Sequence, residues 1–297
     1  MKKPLVLAIA AMALTAGAQA ESKFYGKMNV SLGYDDVSEN MNVESNASRL
    51  GVKGSEDLGN GTKVVYQAEY QTDIDAGDDV FKQRDSYVGL AYDGMGTVKM
   101  GIMDTPLKKS QGKFDLFNDV YDMKAVLDGD KRLGNSLNYT TEKFGAVQAS
   151  VSLVMMEDGS DDGVSASLVF NEGDVYAAIA MDNKTEDADT ATVRATFIYT
   201  MGDLRLGALV NTVDETDTAN EELGFGVNAA FKMGANTAKV QFLSADQSGD
   251  EGKTAVIMGV DHKLAKATKA YAYLALTDAD APDSDATSMA FGLEHKF

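Results

Sequence analysis

The sequence contains no cysteine, no tryptophan and only three prolines in 297 residues. The lack of cysteine excludes a disulfide framework. Proline has no backbone N–H to give to a β-ladder, so its scarcity suits a chain that is mostly paired strand. No apolar run reaches the roughly 20 residues that a membrane-spanning helix needs, so any membrane residence has to come from strands. Positive charge is also short. Lys and Arg number 27 against 46 Asp and Glu, a formal net charge of −19, and a surface of that sign repels the phosphate backbone of nucleic acid. Histidine is limited to His262, beside Lys263, and His295, which alternates with the apolar positions of the last segment. Neither has the serine and acid partners that a hydrolytic nucleophile requires. No metal-ligand spacing, phosphate-cradling glycine loop or nucleotide fingerprint stands out, so the expectation is a non-enzyme with no cofactor and no metal.

What is present begins with an export leader. Lys2 and Lys3 precede a short apolar stretch at 5–14, and Ala18-Gln19-Ala20 is a small-x-small cleavage site. Cleavage after Ala20 divides the chain into a signal peptide, 1–20, and a single domain, 21–297. In that domain the dominant pattern is alternation with period two, which puts one face of each segment in apolar and the other in polar surroundings. Val64, Tyr66, Ala68 and Tyr70 alternate with Lys63, Gln67, Glu69 and Gln71; Arg194 and Thr196 interleave with Val193, Ala195, Phe197 and Tyr199. The first segment after the leader and the last one, ending at Phe297, alternate in the same way and read as two strands that pair and close a barrel. Short Gly-rich connections such as Asn171-Glu172-Gly173 and Met201-Gly202-Asp203 trade places with longer acidic ones at 35–45, 73–80, 182–189, 214–222 and 245–252. Short turns at one end and long loops at the other are the pattern of outer-membrane barrels. The mean hydropathy of −0.21 fits this reading, because half of each strand faces a water-filled interior.

Sixteen alternating segments can be counted. At roughly 9–11 residues per strand they use about 160 residues of the mature domain, eight strands would leave overlong connections, and 18 also fit the pattern. The fold expected is an all-β transmembrane antiparallel barrel with an aqueous lumen. One connection, about 104–131, is far longer than the rest. It carries Phe114, Leu116, Phe117, Tyr121, Val126 and Leu127, too much apolar surface for a disordered tail, so it is expected to fold inward against the barrel wall; an outward lid is the other possibility.

Alternation turns four basic residues into the lumen: Lys27, Arg49, Arg84 and Arg132. A charge on the lipid face at mid-membrane would cost about 2–4 kcal/mol, which favours the inward side. The long loop brings Asp115, Asp119 and Asp122. With the loop inside, a basic wall and an acidic loop face each other across a pore, setting a transverse field that excludes apolar solutes. From the residues alone, ordinary solvated lumen charge is an equal reading.

The run Ser48-Arg49-Leu50-Gly51-Val52-Lys53-Gly54-Ser55-Glu56-Asp57-Leu58-Gly59-Asn60-Gly61 resembles the second strand and turn of the Gram-negative general porins. Arg84 through Gly89-Leu90, Gly96-Thr97-Val98-Lys99-Met100-Gly101, and Thr105-Pro106 to Phe117-Asn118-Asp119 are similar to their fourth strand, fifth strand and third loop. Arg132 with Asn135-Ser136-Leu137-Asn138-Tyr139, the opening Phe24-Tyr25-Gly26-Lys27 and the terminal Phe297 match as well. The resemblance covers about 24–145 and the last strand. It lacks the Pro-Glu-Phe-Gly-Gly-Asp loop tip of the enterobacterial members. It implies a homotrimer of 16-stranded outer-membrane barrels, each pore narrowed by its third loop, for passive diffusion of ions and small hydrophilic solutes. It implies that Lys27, Arg49, Arg84 and Arg132 form the basic wall, that Asp115 and Asp119 lie on the acidic side, and that Phe297 is the assembly signal for the barrel-insertion machinery, reached with periplasmic chaperones. Outer-membrane lipid and lipopolysaccharide are the expected surroundings. A substrate-selective channel on the same barrel and a non-conducting structural barrel are the alternatives. Most strand aromatics fall on the apolar face, against a sugar channel; the five Lys and six Asp of the long loop argue against a phosphate channel. Ion selectivity is expected to lean toward cations.

Overall fold

The computed structural model describes residues 20–37, 39–75, 80–157, 161–185, 190–215, 221–247, 252–279 and 285–297. The predicted leader, Ala20 excepted, lies outside the described residues, as do parts of several acidic connections.

Strand segments of one antiparallel sheet account for most of the described chain: β1 (Ala20–Asp35), β2 (Asn40–Ser45), β3 (Arg49–Gly59), β4 (Thr62–Thr72), β5 (Phe81–Tyr92), β6 (Gly96–Asp104), β7 (Arg132–Thr140), β8 (Val147–Val154), β9 (Gly163–Glu172), β10 (Val175–Asn183), β11 (Thr190–Met201), β12 (Leu204–Glu215), β13 (Glu221–Met233), β14 (Asn236–Gln247), β15 (Lys253–Ala265), β16 (Thr268–Ala279) and β17 (Ala286–Lys296). Except that β2 and β3 both pair with β1 and not with each other, each pairs with its neighbour in sequence, and β1 pairs with β17, so the sheet closes on itself. No described helix is long and apolar enough to cross a membrane.

The expected long connection at 35–45 is instead a hairpin: Asn40–Ser45 pairs with β1, Val30 against Ser45 and Asp35 against Asn40. β2 and β3 together are one barrel strand, since both pair with β1 on the same side, which makes the barrel 16-stranded. The break between them falls at Ala47, whose φ is +49°. Side chains replace the lost ladder. Asn29 N donates to Ser48 Oγ at 2.9 Å, Asn46 Nδ2 donates to Ser31 Oγ at 2.8 Å, and Tyr271 OH donates to Asn29 Oδ1 at 2.8 Å. The strand was hidden because its polar residues Asn40, Asn42 and Glu44 read as a loop.

The two faces follow the period-two pattern. In β11, Thr192, Arg194, Thr196 and Ile198 are buried inward while Val193, Ala195, Phe197 and Tyr199 are exposed outward. The outward face carries Leu32, Val88, Met100, Leu168, Ile179 and Phe225 among its exposed apolar side chains, the apolar band a lipid-facing barrel needs.

The hydrophobic core lies inside the barrel. Phe114, Phe117, Met123 and Leu127 of the long loop are buried against Ile198, Leu209, Leu243, Ala255, Ile257 and Ala275 of the wall. At about 1.5–3 kcal/mol for each fully buried side chain, those four loop residues contribute about 6–12 kcal/mol toward holding the loop in. Backbone room is part of the fit: a Cβ on Gly226 would stand 2.7 Å from the Phe114 ring.

The seam closes on the last residue. Gly26 N donates to Phe297 O at 3.0 Å and Phe297 N to Gly26 O at 3.1 Å. The Phe297 ring packs over Gly26 and 6.0 Å from the Phe24 ring.

Candidate functional site

The loop at 105–131 leaves β6 through a short helix, α1 (Pro106–Ser110), where Thr105 Oγ1 accepts from Lys108 N at 3.1 Å and Pro106 opens the first turn. It then crosses the lumen rather than leaving it. Successive wall strands each offer a polar side chain to a backbone group of the loop. Ser165 on β9 accepts from Leu107 N at 3.2 Å, and Tyr176 on β10 donates to Ser110 O at 2.9 Å. Asn228 on β13 donates to Phe114 O at 2.5 Å, and Gln241 on β14 accepts from Leu116 N at 2.9 Å. At the returning limb the fully buried Arg194 of β11 donates to Asp130 Oδ1 at 2.9 Å, to Asp128 O at 2.6 Å and to Asn211 Oδ1 at 3.1 Å. These bonds satisfy backbone groups that a loop inside a barrel would otherwise bury unpaired.

The wall opposite carries the four predicted bases. Lys27 and Arg49 are directly opposed in the β1–β3 register. Lys27 Nζ makes a short ion pair with Asp119, and Arg49 Nη2 stands 3.5 Å from the same carboxylate. Asp119 has φ +72°, a left-handed conformation that Asp tolerates better than most residues. Burial works to raise its carboxyl, but Lys27, Arg49 and Arg84 outweigh that and hold it below the ordinary carboxylate range.

Arg84 and Arg132 take their partners from the wall. Arg84 Nε donates to Glu69 Oε1 at 2.6 Å, and Tyr25 OH donates to Glu69 Oε2 at 2.8 Å. Arg132 Nε donates to Asp85 Oδ1 at 2.7 Å, and its Nη2 lies 2.8 Å from Asp104 Oδ1. Period-two reading sends Asp85 to the face opposite Arg84. The structure brings both inward because β5 carries an extra residue opposite Glu69, a register shift between Ala68 and Tyr70. A second shift, at Gly101–Met103 against β7 where Asn135 has φ +48°, sits beside Arg132.

The three loop acids have different surroundings. Asp119 meets the bases. Asp115 accepts from Phe117 N at 3.0 Å and Gln241 Nε2 at 3.2 Å, and burial pushes its carboxyl up to about 6. Asp122 caps the 3-10 turn Met123–Ala125, accepting from Lys124 N at 3.2 Å, and is exposed with Lys124 Nζ at 3.4 Å. The wall carboxylates Glu69, Asp85 and Asp104 and the anchors Arg194, Asn211, Asn228 and Gln241 escaped the sequence reading. The anchors stand among inward-facing polar positions, where one barrel-facing amide looks like another.

Two open chambers meet at this cluster. One, about 410 Å³, lies toward the short turns and the termini; the other, about 880 Å³, lies toward the loop and the long connections. Arg49, Arg84, Asp104 and Arg132 line both, which makes them the throat between the two. His262 and His295 line neither chamber and are bonded to Asn236 and Thr268 at 2.7 and 2.8 Å. Among the described residues no group of three or more His, Cys, Asp or Glu is placed to hold a metal ion.

Known proteins are similar to this chain in sequence and fold. The family model of the Gram-negative porins matches residues 6–282. The major outer membrane protein P.IB of Neisseria meningitidis serogroup A is 23% identical over the whole of both chains, and that of Neisseria gonorrhoeae is 27% identical over 58% of this chain and 53% of its own. Among solved structures, the anion-selective porin from Comamonas acidovorans superposes with a TM-score of 0.81 at 20% identity, over 94% of this chain and all of that one. The trimer form of OmpT from Vibrio cholerae superposes at 0.77 with 17% identity, over 94% of this chain and all of that one. A closed 16-stranded barrel, a lumen with charged walls, and a family match along nearly its full length lead to one conclusion: this chain belongs to the Gram-negative porin family, channels of the outer membrane for passive diffusion.

Proposed function

We propose that the throat lined by Arg49, Arg84, Asp104 and Arg132, with Asp119 of the loop paired to Lys27 and Arg49 at its edge, is the diffusion barrier of a non-specific pore, selecting solutes by size, polarity and charge without a dedicated binding site. The observation that carries this reading is the pair of chambers joined through those residues. Ion-paired charges of both signs lining a narrow, wet passage hold an oriented water layer that an apolar solute has to disrupt, while a small hydrated solute moves through it. Lys27, Arg49, Arg84 and Arg132 act as the basic wall and Asp119 as the principal acid of the loop. Asp115 and Asp122 flank it as local structural groups of the loop.

The working unit is a homotrimer, as for the OmpT relative solved in its trimer form. Export through a cleaved 1–20 leader, handling by periplasmic chaperones and recognition of Phe297 by the insertion machinery precede residence among outer-membrane lipid and lipopolysaccharide. The sequence and the site support a channel with no catalytic chemistry. The Comamonas relative is described as anion-selective; that sign is not carried across, because carboxylates stand beside every base of this throat.

The test is liposome swelling with neutral sugars of graded size. Rates that fall steeply with solute radius, proportional to concentration without saturation, are expected. A saturable rate for one sugar would move the reading to a substrate-selective channel.

A further inference from the structure

Resting on the reading of this throat as the diffusion barrier, we propose that three carboxylates of the barrel wall, Glu69, Asp85 and Asp104, determine the sign of the ion selectivity. Four basic side chains reach the throat: Lys27, Arg49, Arg84 and Arg132. Only Lys27 and Arg49 are answered by the loop, through Asp119. The other two are answered from the wall. Glu69 holds Arg84 at 2.6 Å, while Asp85 and Asp104 hold Arg132 at 2.7 and 2.8 Å. Counting these groups gives four positive and four negative charges; Glu294, 4.0 Å from Lys27, and Lys108, 3.5 Å from Asp104, add one more of each sign, so the ion-paired cluster is locally neutral.

Geometry makes the three acids fixed elements of the pore. Tyr25 OH donates to the second oxygen of Glu69 at 2.8 Å, so that carboxylate is held from both sides. Asp85 enters the lumen only because of the extra residue in β5. Asp104 is the last residue of β6, directly opposed to Arg132 in register, and lines both chambers. With the cluster balanced, the field that remains is set by the acids at the loop end, such as Asp36, Glu39, Asp73, Glu157, Asp162 and Glu221, which outnumber the further lysines Lys23, Lys53 and Lys109 that line the chambers. That field attracts cations to the mouth, weakly, because exposed charges are screened beyond about 10 Å at 0.1 M salt. Neutralising the three wall acids would leave the throat with three more positive charges than negative ones, well within that distance of every permeating ion.

The experiment is the reversal potential of purified protein in planar bilayers under a KCl gradient centred near 0.1 M. The wild type is expected to prefer K⁺ over Cl⁻ modestly. Each of Glu69→Gln, Asp85→Asn and Asp104→Asn is expected to lower the K⁺/Cl⁻ permeability ratio by about two- to fivefold, the effect of one charge about 5 Å from the ion path in screened water. The triple variant is expected to reverse the sign and prefer Cl⁻. The double variant Glu69→Gln with Arg84→Gln removes one charge of each sign, so it is expected to return to the wild-type ratio, which a merely structural effect of Glu69→Gln would not do. Normal conductance with unchanged reversal potentials in the triple variant would overturn the proposal while leaving the channel intact. A folded wild-type barrel that carries no current would overturn both.

Discussion

Arg194→Met is the substitution that probes the loop most sharply. Arg194 is fully buried, and its guanidinium makes three bonds at the returning limb: to Asp130, to the Asp128 carbonyl and to Asn211. Methionine fills much of the volume but leaves the Asp130 carboxylate without its cation. Asp128 O keeps only the Asn211 bond, at 3.2 Å. Removing one partner of a buried ion pair costs about 3–5 kcal/mol. The apolar anchors Phe114, Phe117, Met123 and Leu127 contribute about 6–12 kcal/mol by burial and are untouched, so the loop as a whole stays in the lumen. The returning limb does not stay fixed. At 1.4 kcal/mol per factor of ten, its released population rises about a hundred- to several-thousand-fold. The assay is open-channel noise in single-channel recordings, with gel mobility before and after heating to confirm a folded barrel. Excess flicker and sub-conductance steps are expected in Arg194→Met, partly reversed in Arg194→Met with Asp130→Asn, where no unpaired charge remains. Noise identical to wild type in a folded Arg194→Met barrel would refute the reasoning.

Arg132→Ala leaves Asp85 without its cation and Asp104 with only the more distant Lys108, so the reversal potential should move toward cation preference; an unchanged value would remove Arg132 from the throat. Gly26→Val would force a Cβ to within 2.4 Å of the Phe297 ring and 2.9 Å of Arg49 O; a loss of about 1–3 kcal/mol and a lower yield of heat-modifiable folded barrel are expected, with wild-type yield and denaturation midpoint as the contrary result. Asp115 carries a carboxyl raised to about 6 by burial, so the docked loop holds its proton more tightly than the released loop does. Docking therefore strengthens as pH falls from about 6 toward the ordinary carboxylate value of 3.8, and open-channel noise should fall over that window in wild type and stay flat in Asp115→Asn. A noise minimum at neutral pH would contradict the assignment.

Much of this molecule was legible in its sequence, because a barrel wall is a repetition of one rule. Period-two alternation turned Lys27, Arg49, Arg84 and Arg132 inward, and the apolar residues of the 104–131 connection identified it as a packed segment rather than a free lid. Two kinds of feature were not legible. The first is local departure from the rule. Asp85 faces the lumen because a bulge changes the parity of β5, and Asn40–Ser45 is strand although its exposed Asn40, Asn42 and Glu44 have a loop's composition. The second is pairing between distant elements. Nothing near Arg194 in sequence marks Asp130 as its partner, and Glu69 and Arg84 meet through strand register. Inward apolar residues such as Ile198, Leu243 and Ile257 break the alternation of their strands, and that break was the available signal for where the loop docks.

The claim that this barrel is a water-filled diffusion channel is tested most directly by single-channel current from detergent-purified protein in a planar bilayer at 1 M KCl. At that salt the screening length is about 3 Å, so conductance reports pore dimensions more than surface charge. Large, nearly ohmic steps that close in threes are predicted. A correctly folded barrel that carries no current would contradict the account and make the loop at 105–131 a plug.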